Sequence, residues 1–135
     1  MASAVGRAHR VVFVCTANSA RSQLAAALWK RASTIPATSA GTHPADRVDS
    51  GALAAARRHD LRMRPARPRR LADIAADDDF VITVCDHAHE ELGDLGGLHW
   101  SIPDPVRAGT DEAFDATVTA LADRVGGLAP RLAPS

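Results

Sequence analysis

Cys15 and Arg21 stand at the two ends of CTANSAR, with Ser22 next in line, giving the form C-x5-R-S. The residues between them are small or polar. Such a loop can turn its backbone N–H groups inward, and a nest of N–H groups at a helix start binds a tetrahedral oxyanion. Arg21 would grip two oxygens of that anion with its planar fork. Thr16, Ala17, Asn18, Ser19, Ala20, Arg21 and Ser22 are therefore the expected oxyanion cradle, with Cys15 as the nucleophile. The same positive surroundings are expected to bring the Cys15 thiol below the ordinary value of about 8.5, to a thiolate at neutral pH. Ser22 is placed to donate to the sulfur, and Asn18 to pin the loop through side-chain bonds to its backbone. A thiolate held under a bound oxyanion is set for in-line attack.

Three other features carry chemistry or imitate it. SIPDPV sets Asp104 between two prolines, a stiff loop that can aim a carboxyl to protonate a leaving oxygen. Pro-Asp-Pro is also an ordinary turn. Cys85, in FVITVC, ends an apolar run just as Cys15 does, and a buried small apolar role would suit it too. CDHAHEE gathers Cys85, His87, His89 and Glu90, but their spacing fits no standard zinc pattern, so no metal site is expected and no cofactor.

The elements that must position these groups alternate. RVVFVC (residues 10–15) and FVITVC (80–85) are short Val-rich runs of the kind buried on both faces of a parallel sheet. ATSAGT (37–42) reads as a further strand and GGLHWSI as a short one. A helix is expected from Ser22, and another over residues 49–61, capped by Asp49 or Ser50. LADIAADDD reads as a short helix or turn, and HEEL as a helical turn. Phe114, Val118, Leu121 and Val125 share one stripe of a final helix. Strands alternating with helices point to an open α/β sandwich with a mostly parallel sheet. In such sheets ligands sit beyond the carboxyl ends of the strands, where Cys15 and Cys85 both fall.

Composition narrows the class. A chain of 135 residues, 46% hydrophobic, suits one domain over residues 1–135, with residues 1–9 and 129–135 expected as loose tails. Formal net charge is zero, with no aromatic-basic interleaving, so neither nucleic acid nor an anionic membrane is an expected partner. No apolar run is long enough to span a bilayer, and the first ten residues show no signal-peptide core, so a cytoplasmic location is expected. Residues 57–70 hold seven of the fifteen arginines, most simply a solvated helix end and loop, with docking of an anionic partner or guidance of oxyanions to the site as the alternative. Trp29 and Trp100 are expected in the packing.

VFVCTANSARSQLAAALW resembles the active-site segment of the low-molecular-weight protein tyrosine phosphatase superfamily, which includes the thiol-dependent arsenate reductases. The resemblance continues through SAGTHP, DDFVITVCDHAHEEL and HWSIPDPV. It implies a four-stranded parallel sheet flanked by helices, with catalytic Cys15 and Arg21 supported by Asn18 and Ser22, and Asp104 as general acid. Phosphatases of the group carry aromatic residues after the Asp-Pro pair. Here Val106 and Arg107 follow, and the chain has no Tyr. Ser19 and Gln23 stand as in the reductases, and Cys85 falls where the reductases keep a second redox cysteine. The third cysteine of the thioredoxin-coupled members is missing. The resemblance thus implies arsenate reduction with an external small thiol or a redoxin-type protein as reductant. The alternatives are a phosphomonoester phosphatase working through a phosphocysteine, and a non-catalytic oxyanion-binding module.

Overall fold

The computed structural model describes residues 6–64, 66–93 and 97–135. Its strands are β1 (Gly6–Ala8), β2 (Val11–Cys15), β3 (Ala37–Gly41), β4 (Phe80–Thr83), β5 (Leu98–His99) and β6 (Leu132–Pro134). Its helices are α1 (Arg21–Ala32), α2 (Ser50–Arg58), α3 (Leu71–Ile74), α4 (Asp86–Leu92), α5 (Pro105–Ala108) and α6 (Asp111–Leu128). The main sheet runs β3-β2-β4-β5, every pair parallel.

Every residue of β2 is buried. Successive side chains of a strand point to opposite faces, so both faces of β2 are covered, and the run reads as unbroken Val and Phe rather than as alternation. Helices α1 and α4 both pack on β2, and α1 packs also on α6. The Phe13 ring packs against both Trp29 and Trp100, with centroids 6.1 and 5.9 Å away. Both tryptophans are buried, and the Trp29 indole N–H donates to the Ile35 carbonyl. The stripe foreseen on the last helix is the buried face of α6, which starts at a Thr110 cap accepting from Ala113 N. Asp49 caps α2 by accepting from Gly51 N.

The chain leaves β2 for β3 on one side and returns to β4 on the other. The carboxyl ends of β2 and β4 therefore flank a topological switch point, the usual crevice of an open α/β sheet.

Three expectations are corrected. The ends of the chain are not loose where described: β1 pairs in parallel with β6, Ala8 and Leu132 are buried, and residues 129–131 form a 3-10 turn. Residues 1–5 of the expected first tail lie outside the described residues. Second, β4 stops at Thr83, although Val84 N still donates to Val14 O. Cys85 becomes the N-cap of α4, which therefore starts earlier than HEEL implied. Third, α5 follows Asp104 where only a stiff loop was expected.

Arg10 and Asp79 each immediately precede one of the neighbouring strands β2 and β4, and they lock the two entrances together. Arg10 Nε donates to Asp79 Oδ1 at 2.8 Å, and Nη2 to Oδ2 at 2.6 Å and to the Ile74 carbonyl at 2.8 Å. Ala76 N also donates to Asp79 Oδ2. The Arg10 hydrogen bond, with help from Ala76, holds the Asp79 carboxyl below its ordinary range. A carboxyl depressed in the folded state contributes stability that is complete above its unfolded value, about 3.9, and is lost as pH falls through the folded one. Asp79→Asn should cost about 1–3 kcal/mol at neutral pH and flatten the acid limb of stability against pH. Urea titrations at several pH values measure both effects.

Candidate active site

The loop from Cys15 to the start of α1 is shaped by where its carbonyls go. Thr42, His43, Ala45 and Asp49 donate their backbone N–H groups to the carbonyls of Cys15, Thr16, Ala17 and Ser19. Gln23 Nε2 donates to the Asn18 carbonyl and, with its other proton, to that of Ala66. A trans peptide carries its N–H opposite its C=O, and the chain has no cis peptide among the described residues. With the carbonyls of residues 15–19 engaged in this way, the amides of residues 16–20 point away from those partners. Asn18 N donates to Cys15 Sγ at 3.2 Å. The anchoring to residues 42–49 leaves the loop's amides unused by those partners, as an inward nest requires.

The anchoring requires close approach. A Cβ on Gly41, at the end of β3, would stand 2.5 Å from the Thr16 carbonyl oxygen and 3.1 Å from Asn18 N. Asn18 itself is fully buried with φ 53°, a left-handed conformation that asparagine tolerates better than most residues. Its side chain does not pin its own loop's backbone, as the sequence suggested. Asn18 Oδ1 accepts from Arg69 N at 3.1 Å, which fixes the amide orientation, and Nδ2 donates to Ser22 Oγ at 2.7 Å. That bond leaves the Ser22 hydroxyl proton free for Cys15 Sγ, 3.0 Å away.

Cys15 is 3% exposed. Burial pushes its thiol up, while the Ser22 hydroxyl, Asn18 N and the Arg21 charge pull it down, and the upward push prevails. The expectation of a thiol below its ordinary value is thereby corrected: the motif supplies the stabilising donors, but the strand end is deeper than a motif reveals. Ser22→Ala should raise the Cys15 value further by removing the strongest of the lowering contacts. Alkylation by iodoacetamide, followed against pH, should show its midpoint displaced upward in the variant; a midpoint unchanged or lower contradicts the Ser22 hydrogen bond to Sγ.

A cleft of about 720 Å³ opens over the loop, lined by Cys15, Thr16, Ala17, Ser19, Ala20 and Arg21. Its far wall is Cys85, Asp86 and His87 from the start of α4, and its rim runs through Ser101, Ile102, Pro103, Asp104, Val106 and Arg107. Every residue singled out for catalysis thus lines one cavity. Asn18 and Ser22 sit behind the loop, fully buried. Among the described residues no Phe or Trp lines the cleft.

Arg21, the first residue of α1, donates through Nη1 to the Ile102 carbonyl at 2.7 Å. Asp104 is exposed and accepts from Val106 N, so it caps α5 with one oxygen. The turn role and a place on the cleft rim coexist in this residue. Cys85 is 1% exposed, its Sγ accepting from Ala88 N and lying 3.3 Å from the Thr16 hydroxyl. The second thiol is thus one residue away from the first through a side-chain contact.

The sequence reading missed four contributors. Arg69 sits in a stretch read as solvated, yet its N–H orients Asn18. Asp86, His99 and Ser101 tie the rim to α4: the Ser101 hydrogen bond and then His99 hold the Asp86 carboxyl below its usual range. His99 Nε2 meets Asp86 Oδ1 at 2.9 Å, and its Nδ1 meets the Thr83 hydroxyl at 2.8 Å.

Known proteins share this fold. Over 89% of the chain and 98% of the relative, the fold matches an arsenate reductase from Archaeoglobus fulgidus at 28% identity and a TM-score of 0.77. An arsenate reductase in its phosphate-binding state matches at 27% identity and a TM-score of 0.72, over 90% of the chain and 97% of the relative. The tyrosine phosphatase amsI of Erwinia amylovora matches at 22% identity and a TM-score of 0.78, over 90% and 91%, a likeness of fold alone. No curated protein matches the chain in sequence. Among the described residues no helix is long and apolar enough to cross a membrane. Residues 10–135 match the low molecular weight phosphotyrosine protein phosphatases, and the chain belongs to that enzyme family.

Proposed function

We propose that this single domain is a thiol-dependent arsenate reductase, with Cys15 as nucleophile, Arg21 and the amides of residues 16–20 as the oxyanion cradle, and Asn18 and Ser22 as supports. The observation that carries the reading is a cleft that sets the Cys15 loop and Arg21 together with no Phe or Trp wall among the described residues. An aryl phosphate ring gains little from Val106 and Arg107, whereas a bare tetrahedral oxyanion needs only the cradle. The relatives at 28% and 27% identity are both arsenate reductases, which supports the same choice.

In the first step Cys15 Sγ bonds to As(V), and one arsenate oxygen leaves as water. Because burial holds the thiol up, its proton passes to an arsenate oxygen that stays, while the departing oxygen, opposite Sγ, takes its proton from Asp104 on the cleft rim. Arg21 gives up the Ile102 carbonyl to hold two of the remaining oxygens. A second thiol then attacks Cys15 Sγ. The S–S bond forms, the S–As bond breaks, and its electron pair stays on arsenic, which departs as arsenite. We assign that attack to an external small thiol, with a redoxin-type protein as the next acceptor. A Cys15–Cys85 disulfide would close over the loop, and no third cysteine exists to move it away.

The phosphatase reading has one observation in its favour. Asp104 lies on the cleft rim, where a carboxyl can protonate the leaving oxygen of a phosphomonoester before water hydrolyses a phosphocysteine. Trapping decides between the routes. Quenched turnover with arsenate and excess small thiol should yield a mixed disulfide on Cys15, and Cys85→Ser should turn over normally under those conditions. A Cys15–Cys85 disulfide as the main product would reassign the resolving thiol, and aryl phosphate hydrolysis without arsenate-dependent thiol loss would favour the phosphatase.

A further inference from the structure

The cluster CDHAHEE splits in space. His89 turns to stack on His99, with ring centroids 4.1 Å apart, while His87 and Glu91, four residues apart on α4, share the opposite side. His43, from the turn after β3, joins them. His43 Nε2 lies 2.8 Å from Glu91 Oε1, and His87 Nε2 lies 3.7 Å from the same oxygen. One ligating atom from each of the three residues falls within 4.8 Å of the other two.

We propose that His43, His87 and Glu91 form a binding site for a divalent first-row cation of the zinc class, set at the mouth of the oxyanion cleft. Bonds of about 2.0–2.1 Å to a tetrahedral ion place donor atoms roughly 3.3 Å apart, and the two spacings to Glu91 Oε1 bracket that figure. Two imidazoles and one carboxylate suit zinc, nickel or copper and not the hard cations magnesium and calcium, which take oxygen ligands. Three protein ligands leave the fourth position open to solvent, as in zinc sites that bind a further molecule. A plain surface ion pair accounts for His43 against Glu91. An i,i+4 helix pair likewise accounts for His87 against Glu91; what the two pairs together supply is three donor atoms, from the turn after β3 and from α4, gathered at one point, which a single cation would hold.

The site is held in place by the loop chemistry described above. His43 N donates to the Thr16 carbonyl, so one ligand is fastened to the residue after Cys15. His87 lies two residues beyond Cys85 and lines the cleft itself. All three ligands are exposed, so the ion has free access. The sequence alone gave no sign of the site because His43 is far from CDHAHEE along the chain, and the residues weighed there point in different directions. The inference is independent of which oxyanion is turned over.

Zinc chloride titrated into the reduced protein tests it by calorimetry, alongside cobalt(II) absorption. One zinc per chain is expected, weakened at least about ten-fold by His43→Ala and by His87→Ala, and within about two-fold of wild type in a Cys15→Ser, Cys85→Ser double variant. Glu91→Gln, with its shape kept, should weaken it likewise. Unchanged melting temperatures in the metal-free variants exclude misfolding as the cause. Bound cobalt(II) should show four-coordinate visible bands without the near-ultraviolet sulfur charge-transfer band of a thiolate complex. Affinity unchanged by the histidine variants, absence of one-to-one binding, or binding lost in the double serine variant with a thiolate band in the wild type would overturn the proposal.

Discussion

Cys15→Ser should abolish turnover of arsenate and of an aryl phosphate alike, by roughly 10³-fold or more, and leave the fold intact. A serine hydroxyl is far less acidic than a thiol, so almost none of it is ionised in a buried site, and an un-ionised hydroxyl is a poor nucleophile. The fold survives because the replacement fits. Serine fills nearly the volume of the thiol at the end of β2, and its oxygen can take the bonds that Asn18 N and Ser22 now make to Sγ. No buried donor is orphaned. Steady-state rates on both substrates, with near-unchanged circular dichroism and melting temperature, are the expected record. Activity above about a tenth of wild type would remove Cys15 from the nucleophile's place.

Arg21→Lys should be nearly as harmful as Arg21→Ala. The guanidinium offers paired N–H groups in one plane, whereas an ammonium offers a point charge at the end of a flexible stem. Losing one arm of a charge-assisted pair should weaken phosphate binding by roughly 10–100-fold, measured by calorimetry with inorganic phosphate. The resting contact sharpens the expectation. Arg21 Nη1 is parked on the Ile102 carbonyl at 2.7 Å, which keeps the side chain over the cleft before any anion arrives. A lysine variant with near-normal phosphate affinity and rate would show that the arginine is not the clamp.

Parts of this architecture were legible because their signals are local. The Val-rich run before Cys15, the helix that follows it and the stripe from Phe114 to Val125 each declare their period within a few residues. The C-x5-R-S loop is legible for the same reason: the thiol, the serine and the arginine that meet there are near neighbours in the chain. What escaped depends on backbone groups brought from afar. Nothing in the sequence marks the N–H of Arg69 as the partner of Asn18, or the carbonyl of Ile102 as the seat of Arg21, since every residue carries such groups. The pairing of GRA with LAP escaped because three-residue strands have no period to read. The direction of the Cys15 shift escaped for a different reason: the motif displays the donors around the sulfur, while the depth of burial belongs to the whole fold. Cys85 lay at a junction, where the strand-like VITVC and the helical DHAHEEL meet and the thiol caps the second.

The measurement that bears most directly on the proposed activity is the fate of a small-thiol pool during turnover. With arsenate present, the protein should oxidise that pool and form one disulfide for each arsenite released, because reduction of As(V) to As(III) takes the two electrons that one disulfide yields. Without arsenate, or with Cys15→Ser, the pool should stay reduced. An aryl phosphate hydrolysed efficiently while arsenate leaves the thiols untouched would contradict the account and assign the cleft to phosphomonoester hydrolysis.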